Sequence, residues 1–179
     1  MNNLTSTDLG QMLVNVSSLF VLLELLIRTV VGVIGFILFV TAIRKAIKLS
    51  ATGLNADPQN TPGRIFAYVI LSVILFRYSI FMPDVWNYLF GGGGHQGIYT
   101  YTNFSAPGPY ADVIKAALQF VQLMGWYFGA KGILDFKHAT DGQAQPGLVS
   151  KGFTHFFGGL ACIHIGAFLS MVMAKLLGG

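Results

Sequence analysis

Apolar residues along this chain fall in a few long runs, without the two-residue or 3.6-residue spacing of a half-buried strand or helix. The first run goes from about Leu19 to Ile43. It follows Ser6-Thr7-Asp8, residue types that cap helix N-termini, so one helix is expected from near Asp8 to about Leu49. The second, Ile65 to Met82, opens after Thr61-Pro62-Gly63 and is expected to stop at Pro83. Between Asp84 and Asp112 the chain turns to Gly91-Gly92-Gly93-Gly94, tyrosines and prolines with no Lys or Arg, the pattern of an irregular interfacial loop. The third run extends from about Val113 to Leu134 and the fourth from about Phe153 to Leu177. At about 1.5 Å per residue, runs of this size match the roughly 30 Å hydrocarbon core of a bilayer. The expected fold is an all-α membrane protein with four transmembrane helices.

Composition supports a membrane setting. Hydrophobic residues make up 54% of the 179 and charged ones only 10%, against roughly 25% in soluble domains, which counts against a soluble enzyme. The net charge of +4 arises from 11 basic and 7 acidic residues, and the basic ones cluster at the ends of apolar runs. That placement speaks for orientation and against nucleic-acid binding. Arg44, Lys45, Lys48 and Arg64 flank the first short loop, and Lys131, Lys137 and Lys151 flank the third. Both short loops are therefore expected in the cytoplasm, with the middle loop and both termini periplasmic; Lys115 and Lys175 reach an interface by snorkelling. No cleavable signal peptide is expected, because the first eleven residues lack Lys and Arg.

The two halves resemble each other. Gly35-Phe36 with Arg44-Lys45 downstream, then Pro62-Gly63 opening a helix, parallels Gly125-Trp126 with Lys131 downstream, then Pro146-Gly147 opening a helix. The chain reads as two helical hairpins in a parallel repeat, although two ordinary hairpins could converge on this pattern. The expected organisation is a first hairpin with an amphipathic N-terminal extension (residues 1–90), a Gly/aromatic outer loop (91–112) and a second hairpin (113–179).

Candidate chemistry is sparse. Glu24 and Arg28, four residues apart, share a helix face and can pair, either as part of an ion or proton pathway or as a structural pair near the outer interface. Arg77, near the outer end of the second run, suits a phosphate headgroup or a simple interfacial anchor. His155 and His164 lie nine residues apart on nearly opposite helix faces, and His95 and His138 are in loops without a second ligand, so no metal site is expected. Cys162, the single cysteine, stands in an apolar run and is expected to pack as a small apolar residue. Gly32 and Gly35, Gly125, Gly129 and Gly132, and Gly158, Gly159 and Gly166 mark close helix approaches. Their number suggests contacts between subunits as well. No Ser/His/Asp set, phosphate-binding loop or paired carboxylates occur at usable spacing, and no enzymatic activity is expected.

The stretches FILFVTAIRKAIKLS, PGRIFAYVILSVILF and GWYFGAKGILDFKHATDG, in this four-run plan, resemble the small inner-membrane proteins of type IVB secretion. The group is the IcmC/DotE proteins of Dot/Icm systems and the TraQ-like proteins of related conjugation systems. Each hairpin is also similar in plan to conjugative pilins, two apolar helices around a short positive loop. The resemblance implies a non-enzymatic bacterial inner-membrane subunit of a type IV secretion or conjugation apparatus, with no catalytic residues to carry over. Its implied partners are copies of itself, other membrane proteins of the apparatus and membrane lipid, with nucleic acid only as transported cargo. Such a homo-oligomer would form a ring or a pilus-like tube reaching outside the cell, with phospholipid between subunits. The alternative is a small ion or proton channel, or a transporter subunit, working through Glu24, Arg28, Arg77 and the two helical histidines.

Overall fold

The computed structural model describes residues 6–52, 61–91, 111–142 and 146–177. His95 and nearly all of the Gly/aromatic loop lie outside the described residues. Among the described residues six helices follow one another: α1 (Ser6–Thr52), α2 (Pro62–Phe76), α3 (Tyr78–Phe90), α4 (Ala111–Thr140), α5 (Leu148–Ile163) and α6 (Ile165–Leu177). The described protein is all-helical, as the apolar runs require.

Helix α1 is apolar on every side, yet it buries only a narrow stripe: Glu24, Val31, Gly35, Leu38 and Ala42, with Arg28 partly covered. Spacings of three, four and seven give the 3.5-residue seam of one helix lying along another. The seam receives α2 over its second half and α4 over its first. Phe20 meets Phe120 at a 5.8 Å centroid separation, and the Arg28 guanidinium lies 4.9 Å from the Trp126 ring centroid. Helices α1 and α4 therefore run side by side in the same direction. The most extensive contact in the molecule is α4 on α5, and α1 on α2 comes next, so the chain forms two hairpins joined along α1 and α4. One core results, in which Leu75, Tyr78, Met82, Trp126, Leu160 and Ile163 are almost wholly covered.

Both hairpins break in their returning arm. Between α2 and α3 the axis bends by 94° at Arg77, and α5 gives way to α6 at His164. The two junction residues have similar backbone angles, φ −98°, ψ 21° and φ −105°, ψ 32°. This corrects the expected ends. Pro83 does not stop the second run but sits buried inside α3, and Asp84 to Phe90 is helical. Proline has no N–H to give the carbonyl four residues earlier and crowds that carbonyl, so its disruption falls upstream, on the Arg77 side. Helix α4 continues past Leu134 to Thr140, and the last apolar run begins at Leu148 and is two helices.

Among the described residues one stretch, Leu19–Ala51 of α1, is long and apolar enough to cross a membrane; the bent α2–α3 pair is a second if taken as one span.

Candidate functional site

The basic residues assigned from sequence to the two hairpin tips come together at one end of the molecule. Tyr68, one turn after Arg64 on α2, donates its hydroxyl to Asp141 Oδ1, just beyond the end of α4. Lys137 Nζ lies 2.7 Å from Asp141 Oδ2, and Lys45 Nζ stands 5.0 Å from the Tyr68 ring centroid. The Arg64 guanidinium lies against Gly142, where a Cβ would fall 2.8 Å from Nη2; the left-handed φ of 76° there also favours glycine. Asp141 thus ties the second tip to the first within an otherwise positive surface. Burial pushes its carboxyl upward, but Lys137, the Tyr68 hydroxyl and Lys45 outweigh it and hold the group below the usual carboxylate range. Arg44, Lys48 and Lys151 are exposed around this end, and Lys131 is half-buried on α4.

Glu24 and Arg28 pair at 2.9 Å, with Glu24 only 4% exposed. Arg28 also stacks on Trp126, so the pair bridges the two hairpins. Tyr78, the first residue after the Arg77 break, donates its hydroxyl to the Trp126 carbonyl at 2.6 Å and meets the indole edge-on at 5.4 Å.

The histidines separate, as their spacing requires. Asp135 accepts from His155 Nδ1 at 2.8 Å, an α4–α5 tie, while His164 is fully buried and stacked on Trp86 at 4.7 Å. No group of three metal-ligating side chains occurs among the described residues. Cys162 is half-buried, its Cβ beside Gly125.

Most of the glycines serve the hairpins themselves. Gly35 lies where a Cβ would come within 2.9 Å of Leu75 C and Ser72 O; Gly125 would meet Ile163 N at 2.6 Å and Gly159 O at 2.8 Å. Gly132 abuts Gly152 and Phe156, Gly129 holds Tyr78 and Met82, and Gly159 abuts the Gly129 and Gly125 backbones. The close approaches at Gly125 and Gly129 are therefore made within the chain. A Cβ on Gly158 would meet nothing, one on Gly32 would be in ordinary contact, and Gly166 is half-buried in α6.

Sequence reasoning missed Tyr68 and Asp141, although the Arg64–Tyr68 and Lys137–Asp141 spacings of four were visible, and it missed Gly152 opposite Gly132. This arrangement can hold helices at close range and present cations at one end. No family model, curated protein or solved structure matches the chain.

Proposed function

We propose that this chain is a non-enzymatic, self-assembling membrane subunit of a type IVB-like secretion or conjugation apparatus, crossing the inner membrane four times as two hairpins of the same orientation. The observation that carries the membrane reading is α1: the most apolar 18-residue window of its Leu19–Ala51 stretch has mean hydropathy 2.4, and only 22% of that window is buried. Leu22, Leu25, Leu26, Val33, Phe36 and Ile37 all face outward, a surface that requires lipid or protein cover. The repeat is supported by the paired breaks. Ser72, Leu75 and Phe76, which pack on Gly35 just before the break at Arg77, correspond at one constant spacing in the returning arm to Gly159, Cys162 and Ile163, which pack on Gly125 just before the break at His164. With both basic tips at one end, the positive-inside rule puts that end in the cytoplasm and both termini in the periplasm. The secretion assignment rests on the resemblance alone.

The buried Glu24 favours a second reading, an ion or proton path. Against it, Arg28 neutralises the carboxylate and is itself held on Trp126, as a structural bridge would be. Two variants separate the readings: Glu24→Gln, and Arg44, Lys45, Lys48 and Arg64 all changed to Gln. Each tip cation near an anionic leaflet contributes about 1 kcal/mol. The fourfold variant, once its orientation has been checked, should lose most of the high-mass assembly on native gels of membrane extracts. Glu24→Gln should keep that assembly and leave proton flux in vesicles unchanged. Flux that depends on Glu24 would replace the structural reading with the transporter.

A further inference from the structure

Helix α3 has two unlike faces. One points into the bundle, where Tyr78 meets Trp126 and Trp86 stacks on His164. The other, at spacings of three, four and four, carries Arg77, Ile80, Asp84 and Tyr88. Arg77, Ile80 and Tyr88 are exposed and Asp84 is half-buried. Neither charge on this face has an ion-pair partner among the described residues, whereas Glu24, Asp135 and Asp141 are each paired within the chain. Depth makes the two charges costly. The Phe76 backbone lies against Gly32 and Gly35, and Gly35 is the midpoint of the Leu19–Ala51 stretch. Arg77 therefore stands at the centre of the apolar part of α1, not near the outer end expected from the sequence. A guanidinium or carboxylate at such a depth is expensive unless it is matched by an opposite charge or by protein dipoles.

Seven residues, about 10 Å of helix, separate Arg77 from Asp84. A second α3 laid antiparallel on the first would set Arg77 of each copy against Asp84 of the other, with Ile80 at the middle. Two membrane subunits of the same orientation are related by a twofold axis along the membrane normal, which keeps their transmembrane helices parallel. Only an element lying across the bundle can meet its own copy antiparallel, and the 94° turn out of α2 gives α3 that direction. We propose that the Arg77–Asp84 face of α3 is a self-complementary contact between two copies of this chain, closed by two reciprocal Arg77–Asp84 ion pairs. The proposal rests on the self-assembling membrane reading above and names the surface that assembles. A lipid phosphate would answer Arg77 but leave Asp84 unmatched, and acyl chains would answer neither.

The test uses full-length chains bearing two different tags, co-expressed in one membrane, with oxidative cross-linking through Ile80→Cys in a Cys162→Ala background. The otherwise unaltered chain should form the disulfide-linked dimer. Arg77→Asp in every copy sets carboxylates against each other at both contacts and should lower the cross-linked fraction about tenfold or more; Asp84→Arg, which opposes guanidinium groups, should do the same. Co-expression of an Arg77→Asp chain with an Asp84→Arg chain should restore the cross-link, and only between the two tags, because that mixed pair matches opposite charges at both contacts. The rescue also shows that each variant folds. Cross-linking of either single variant at the unaltered level would overturn the proposal. So would recovery only when both exchanges are placed in one chain, which would mean that Arg77 and Asp84 pair within a copy. Native gels of the same extracts separate the parent reading: high-mass assembly that persists in both single variants refutes this face alone, whereas a wild-type chain that runs as a monomer sinks self-assembly itself.

Discussion

Two neighbouring glycines show how closely this fold is fitted. Gly159 faces the backbone of Gly129 and Gly125, where a methyl group has nowhere to go and rigid backbone cannot yield, while Gly158 points into open space. Gly159→Ala should cost about 2–3 kcal/mol by overpacking, and Gly158→Ala should be neutral or slightly stabilising. Thermal unfolding in detergent compares the two, and equal midpoints would refute the seam. That these glycines mark close approach was legible in the sequence. Which of the adjacent pair faces a partner was not, because helix phase depends on where α5 begins, and it begins at Leu148, before the expected Phe153.

Asp141 makes a second prediction at this scale. Its carboxyl is held below the ordinary range in the folded protein and returns to about 3.9 on unfolding. Its contribution is therefore complete above that value and is lost as pH falls through the lower folded value. At neutral pH Asp141→Asn should cost about 1–2 kcal/mol. Below about pH 4 the difference in unfolding midpoint between Asp141→Asn and wild type should shrink toward zero. A difference that stays constant from pH 7 to pH 3 would mean that Asp141 does not secure the two tips.

Among the elements, helix existence followed from hydropathy because long apolar runs leave the backbone no option in lipid except internal hydrogen bonding. The interruptions were harder to read. Pro83 looked like a terminator, yet α3 carries it, since the carbonyl it deprives lies close to a break that has already opened at Arg77. Nothing about His164 signals a break: it is one polar residue in an apolar stretch, and only its stacking on Trp86 from the other hairpin shows what holds it there. At His164 the bend goes with a tertiary contact, which is absent from any local window. The constant spacing that relates the two bends is legible only after the Gly35 and Gly125 contacts are known.

For the whole molecule, the sequence already contained the pairing of helices into hairpins and the clustering of cations at their tips. The Tyr68–Asp141 tie that joins the tips required the fold, because the two residues lie far apart in the chain. If the hairpins share one orientation in the membrane, both tips lie on the same side and the Gly/aromatic loop on the other. The most direct measurement is thiol accessibility in intact cells, in a Cys162→Ala background, with single cysteines at Asn55, Gln143 and Gln96. The account predicts that an impermeant reagent labels Gln96→Cys alone, and that Asn55→Cys and Gln143→Cys react only after the membrane is permeabilised. Labelling of Asn55→Cys and Gln143→Cys from outside would invert the orientation, and labelling of one but not the other would contradict the parallel hairpins.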